Sequence, residues 1–149
     1  MSLTVVEFKR FSNNATLPCK ATPGSAGLDL YSAECVSVPA YGGKAVVNTD
    51  IGLKLPSNTC GIIMSRSGLC ISNSITVFSG LIDRDYTGPI KLVIFNHGPQ
   101  EFVVERNMRL AQLVIQRIVE PALIEVKDLG TTERGDRGFG STGVYSVLE

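Results

Sequence analysis

Five short stretches of this 149-residue chain combine side chains able to bind or cleave phosphate groups. Ser65-Arg66-Ser67-Gly68 follows the apolar run Gly61 to Met64. It brings a guanidinium, two hydroxyls and a permissive backbone to a strand end, a sensible phosphate cradle. Ala26-Gly27-Leu28-Asp29-Leu30 sets an acid between leucines, which is costly unless the carboxylate is paired or close to a metal. Gly80 to Gly88 places Asp83 after the apolar pair Leu81-Ile82 and three residues before Tyr86, in what reads as a hairpin. Taken alone it is a DxxY turn. Arg109-Leu110-Ala111-Gln112 opens a long strand with an amide among apolar neighbours, ordinarily a satisfied edge residue. From Gly130 to Gly143 there are five glycines in fourteen residues, with Glu133, Arg134, Asp136, Arg137 and one aromatic, Phe139. Composition leaves two readings of that stretch: a frayed tail, or an arm that orders over a ligand.

Other chemistries are excluded by what surrounds their signatures. Gly138-Phe139-Gly140-Ser141-Thr142-Gly143 matches GxGxxG, yet only six residues follow it, so no crossover helix of a dinucleotide fold can exist. Neither a P-loop nor a GxSxG nucleophile elbow occurs. His97 is the sole histidine and reads as a hairpin-turn residue in Asn96-His97-Gly98-Pro99. With one histidine and no CxxC pair, the usual zinc ligand sets are not available. Asn14-Ala15-Thr16 is a sequon without an export signal and is discarded.

The elements that must position these residues are short β-rich runs recurring about every ten residues. They are Leu3 to Phe8, Gly27 to Tyr31, Val36 to Val38, Lys44 to Asn48, Gly52 to Leu55, Gly61 to Met64, Ile75 to Phe78, Ile90 to Asn96, Phe102 to Val104, Leu110 to Ile118 and Leu123 to Val126. Turn signals separate them, among them Pro23-Gly24, Tyr41-Gly42-Gly43, Pro56-Ser57-Asn58 and Gly88-Pro89. One short helix fits, in the Leu69 to Ser72 region. The pattern predicts an all-β fold that closes as a sandwich, jelly roll or barrel.

The length suits one domain with a real core, and 44% hydrophobic residues exclude disorder along the whole chain. Fourteen basic and fourteen acidic residues cancel, so a broad cationic surface for nucleic acid is not expected. Any polyanion bound should be small. The first twenty residues carry no signal-peptide h-region, and no apolar run approaches the ~18 residues of a membrane helix. Cys19, Cys35, Cys60 and Cys70 are read as reduced, mostly buried thiols of a soluble intracellular protein, cytoplasmic or nuclear.

In order and spacing, the five stretches beginning at Ala26, Ser65, Gly80, Arg109 and Arg134 resemble the five motifs of the trimeric dUTP pyrophosphatase family, over positions 26 to 143. The resemblance implies a jelly-roll domain at 1–129 and a flexible Gly-rich arm at 130–149 that closes over an active site. It implies a homotrimer whose sites are shared between subunits, and hydrolysis of dUTP to dUMP and pyrophosphate with Mg²⁺, keeping uracil out of DNA. By the same resemblance Asp83 would activate the attacking water, and Asp29 would hold Mg²⁺ through water. Arg66, Ser67, Gly68 and Gln112 would cradle the inner phosphates. Gly80 and Ile82 would read uracil through strand backbone, and Tyr86 would pack under the deoxyribose. In the arm, Phe139 would stack on the base, Arg134, Ser141 and Thr142 would hold the γ-phosphate, and Gly140 would also contact the substrate.

The chain departs from the family pattern at Ser65, where proline is usual, at Phe78-Ser79 beside the uracil slot, at Asn107-Met108 before Arg109, and at Arg137, where a small residue is usual. The alternatives on the same fold are a non-catalytic interaction protein and a dCTP deaminase-like relative.

Overall fold

A computed structural model describes residues 5–138. Eleven strands and one helix alternate along it: β1 (Glu7–Arg10), β2 (Leu28–Tyr31), β3 (Val36–Val38), β4 (Gly43–Asn48), β5 (Ile51–Lys54), β6 (Thr59–Ser65), α1 (Ser67–Asn73), β7 (Ile75–Val77), β8 (Gly80–Ile82), β9 (Lys91–Asn96), β10 (Phe102–Val104) and β11 (Arg109–Arg117). They pair antiparallel into four small sheets, ordered β1-β5, β10-β3, β2-β11-β6-β8 and β4-β9-β7. The all-β expectation holds, and the helix sits where expected.

Strand alternation builds the core. In β9, Leu92, Ile94 and Asn96 point inward while Lys91, Val93 and Phe95 point outward. Leu30, Val38, Val47, Leu92, Ile94, Val104, Leu110 and Leu113 are fully buried at its centre. Asn96 is the polar member of this row, and burying it is tolerable because its amide is used up. Its Nδ2 donates to the carbonyls of Val38 (3.1 Å) and Gln100 (2.8 Å), and its Oδ1 accepts from the Gly98 N–H (2.9 Å).

Four expectations need correction. His97 is not at a hairpin tip, because β9 and β10 belong to different sheets; its N–H donates to the Ser74 carbonyl and its Nε2 lies 2.8 Å from Thr76 Oγ1. Gly80 to Gly88 is not a hairpin either. Gly80–Ile82 pairs with β6, and the chain then crosses to β9 in another sheet. Leu123 to Val126 forms no strand: Leu123 and Ile124 are 94% and 81% exposed, and a β-prone run without a ladder partner has nothing to pair with. Among the described residues, regular structure ends at Arg117. Of the four thiols only Cys60 is buried, with Cys19 and Cys35 exposed, so the expectation that most are buried fails; none of the four is in a disulfide.

β11 carries the irregularity on which the site depends. Arg109 pairs with Tyr31 but Ala111 pairs with Leu30, so Leu110 is an extra residue, a β-bulge. Leu110 and Ala111 are consecutive yet both fully buried. In a regular strand residues three apart face opposite sides. The bulge returns Arg109 to the face occupied by Gln112.

Candidate active site

That outer face of the β2-β11-β6-β8 sheet is assembled by register. Asp29 pairs with Gln112, and Gln112 pairs with Met64, so one row runs across three strands; Arg66 lies two residues beyond Met64 on the same side. Asp29, Arg66, Ser67, Gly68 and Gln112 converge on one open cleft of about 330 Å³, closed above by Ala21 and the Ser25-Ala26-Gly27 loop. All five of these side chains or backbones were expected to bind phosphate or metal, and the fold brings them together.

The Asp29 carboxylate is buried and held between two guanidiniums. Arg66 Nε lies 3.1 Å from Oδ1 and Arg109 Nη1 donates to Oδ2 at 3.3 Å. Arg66 Nη1 also donates to the Arg109 carbonyl at 3.0 Å, which ties the Arg66 side chain to the start of β11. The acid between leucines is therefore paid for by pairing, as its burial required. The Gln112 amide donates one N–H to the Ser65 carbonyl at 2.9 Å and has a second to offer. Arg66 is the N-cap of α1, so the first N–H groups of that helix, at Ser67 and Gly68, have no partner within it.

Gly27 is there for clearance. A β-carbon on it would lie 2.7 Å from Gln112 Oε1 and 3.0 Å from Gln112 Cβ, so the amide can lie against the loop only above a glycine. Tyr31 edges the same face. The Cys19 thiol, 3.0 Å from its Oη, raises the phenol above its ordinary pKa; burial and the charge of Asp29 add to this and Arg109 opposes it.

Asp83, Gly80, Ile82 and Tyr86 lie elsewhere. β8 is the opposite edge of the sheet, three strand spacings from β2, and Asp83 follows Ile82, which pairs with Gly61. At ~4.8 Å per strand and ~3.3 Å per residue, Asp83 stands roughly 15 to 20 Å from Asp29 in the same copy. Ile82 is buried while Asp83 and Tyr86 are exposed. β8 pairs only with β6 among the described residues, so its outer backbone edge presents N–H and C=O groups. The Asp83 carbonyl accepts the Tyr86 N–H (3.1 Å), and Tyr86 Oη donates to the Pro89 carbonyl (2.9 Å). Arg134 is described in the arm, while Phe139, Gly140, Ser141 and Thr142 lie outside the described residues.

The departures find local reasons. Ser65 Oγ accepts the Val77 N–H at 2.8 Å and donates to the Val77 carbonyl at 3.2 Å, linking β6 to β7. Asn107 sits at φ +67°, a left-handed position that asparagine tolerates, and accepts from Thr16 Oγ1 at 2.7 Å. Phe78 lies outward, edge-on to Phe95 at 6.5 Å. Arg109, Tyr31 and Gly27 are the site residues to which sequence reading assigned no role. The unexplained signal was the odd spacing of Arg109 and Gln112 within one strand.

Among the described residues no three His, Cys, Asp or Glu side chains gather to hold a metal. With both Asp29 oxygens engaged by arginine, the donor set does not suit an all-protein cage. It does suit Mg²⁺ that keeps its waters and takes its remaining ligands from substrate phosphates.

A buried carboxylate between two guanidiniums, beside an amide and open backbone N–H groups, is an arrangement suited to a small polyanion. The model of the dUTPase family matches residues 13–143. The deoxyuridine 5'-triphosphate nucleotidohydrolase of Arabidopsis thaliana is 48% identical over 136 residues, covering 91% of this chain and 81% of its own. That of Saccharomyces cerevisiae is 42% identical over 140 residues, covering 93% and 95%. The dUTPase of Staphylococcus bacteriophage 80alpha with dUPNHPP superposes with a TM-score of 0.87 at 30% identity, over 94% of this chain and 99% of that one. The chain belongs to the dUTPase family.

Proposed function

We propose that this chain is a dUTP pyrophosphatase that forms dUMP and pyrophosphate and so keeps uracil out of DNA. The observation that carries the reading is the open Asp29–Arg66–Gln112 cleft on one sheet edge, with Asp83 on the other. Family membership supports it, as do relatives named for the same hydrolysis.

The separation of Asp29 from Asp83 supports a site completed by another copy. Between the two edges the outer face is apolar: Leu81, Ile62 and Val114 form one row, and Met64 sits in the next. Leu81 is 63% and Met64 51% exposed, a surface suited to a second copy of the chain. We read the assembly as a homotrimer, with the β body at 1–129 and the arm at 130–149. The free thiols support an intracellular setting, cytoplasmic or nuclear.

In this reading Arg66, the N–H groups of Ser67 and Gly68, and Gln112 bind the inner phosphates. Asp29 reaches Mg²⁺ through water, which neutralises phosphate charge when bound; a dUTPase of phage phi11, alike at TM-score 0.79 and 25% identity, is described with a structural Mg(II) ion. Asp83 of another copy orients a water and accepts its proton as the water oxygen bonds to the α-phosphorus. The bond from that phosphorus to the α,β-bridging oxygen breaks and pyrophosphate leaves. The open edge of β8, from Gly80 to Ile82, offers backbone to the polar edge of uracil and no room for a C5 methyl. Tyr86 packs beneath the deoxyribose and excludes a 2′-hydroxyl. Phe139 covers the base, and Arg134, Gly140, Ser141 and Thr142 hold the terminal phosphate.

The test is pyrophosphate release from dUTP, dTTP, dCTP and UTP with Mg²⁺, by wild type and Asp83→Asn. Release from dUTP alone, lowered about 10²- to 10⁴-fold by the substitution, is expected. Silence on all four, or ammonia released from dCTP instead, would overturn the reading.

A further inference from the structure

The segment from Thr132 to Arg137 forms a turn of its own before any ligand is considered. The Gly135 N–H donates to Thr132 Oγ1 at 3.0 Å, with Gly135 at φ +56°, and the Arg137 N–H donates to the Arg134 carbonyl at 3.2 Å. Two guanidiniums then grip each other's backbone. Arg134 Nε donates to the Arg137 carbonyl at 2.9 Å. Arg137 Nε donates to the Arg134 carbonyl at 3.2 Å, and its Nη2 donates to the Glu133 carbonyl.

The exchange is asymmetric in a useful way. Arg134 commits only its Nε, which leaves both Nη groups free of the turn, whereas Arg137 commits one edge of its fork to two carbonyls. A planar guanidinium can span two acceptors at once; an ammonium or a small side chain cannot do so in fixed geometry. Both residues are exposed, so the free end of Arg134 faces outward. A turn formed in advance loses less conformational freedom when the arm binds.

We propose that Arg137, one of the departures from the family pattern, is a positioning residue that pre-forms the arm turn and aims Arg134 at the terminal phosphate of the substrate. The proposal rests on the dUTP reading above. It makes Arg137 act through Arg134 and not through its own charge.

The experiment is a double-mutant cycle in the full-length protein with Mg²⁺: wild type, Arg137→Ala, Arg137→Lys, Arg134→Ala and the Arg134→Ala/Arg137→Ala pair. Steady-state dUTP kinetics are combined with equilibrium binding of dUMP and of the imido analogue dUpNHpp. Arg137→Ala should raise KM for dUTP and Kd for the analogue about five- to tenfold, with kcat within about twofold and dUMP binding unchanged. Arg137→Lys should behave like Arg137→Ala, and in the Arg134→Ala background the second substitution should add nothing. No effect of Arg137→Ala, full rescue by lysine, or an undiminished effect without Arg134 would each overturn the proposal. Wild type that binds the analogue without hydrolysing dUTP would sink the proposed function alone, because the binding cycle still decides the role of Arg137. Wild type that binds no analogue would sink both.

Discussion

Arg109 donates through Nη1 to Asp29 Oδ2 at 3.3 Å across eighty residues of sequence, while its own carbonyl accepts from Arg66, the second cation on the same carboxylate. One residue thus fixes both charges of the cleft. Arg109→Ala leaves the buried carboxylate with Arg66 as its single guanidinium partner, while the backbone carbonyl that accepts from Arg66 remains. Because Arg109 is half exposed and Arg66 remains, the expected loss is about 1–3 kcal/mol in urea unfolding. A fall of at least tenfold in kcat/KM should accompany it. Unchanged kcat/KM would show that the pairing is only structural.

Gly27→Ala tests the clearance beneath Gln112. The added β-carbon meets the movable end of the amide at 2.7 Å, so Gln112 must swing and give up its bond to Ser65. Loss of a single phosphate donor corresponds to about 1–2 kcal/mol, seen as a roughly tenfold rise in KM for dUTP. Far-UV circular dichroism and the unfolding midpoint should hardly move. An unaltered KM would mean the amide plays no part in binding.

The separation of Asp29 from Asp83 allows complementation. Asp29→Asn and Asp83→Asn should each be nearly inactive alone, yet co-refolded in equal amounts they should recover about a quarter of wild-type activity. In random assembly that fraction of sites takes an intact Asp29 from one copy and an intact Asp83 from another. If the mixture is no more active than its components, each site is built within one copy.

Tyr31 provides a pH test. Its phenol, raised chiefly by the Cys19 thiol, is favoured in its protonated form by the folded state. The resulting stabilisation is fully present below the ordinary value of 10.0 and is lost as pH rises through the folded value. Urea midpoints measured from about pH 8 to 11 should fall more steeply for wild type than for Tyr31→Phe. Parallel curves would remove Tyr31 from the alkaline transition.

What the sequence disclosed followed from locality. Alternation located β3, β9 and β10 nearly residue for residue, since each strand writes its own period, and Asp29 between two leucines announced a buried acid in need of a partner. The partner could not be read, because Arg109 lies far away in sequence and on the wrong parity relative to Gln112 until Leu110 bulges. Leu123 to Val126 misled for a related reason: its composition is that of a strand, but a strand exists only where another backbone answers it. The destinations of Gly80 and His97 were likewise hidden, because a turn signal marks where the chain bends and not which sheet it enters.

The bulge at Leu110 also bears on how sequences of this kind can drift. The placement of Arg109 beside Gln112 follows from the bulge, not from the identity of the two residues between them. Leu110 and Ala111 need only be apolar and of suitable volume to fill the core. Regularising the strand at its present length would turn Arg109 to the opposite face, whereas removing either residue would restore a regular strand in which Arg109 and Gln112, then two apart, still share a face. Among variants or relatives, the interval from this arginine to this glutamine should therefore tolerate exchange of the two residues between them, and accept loss of one only together with loss of the bulge.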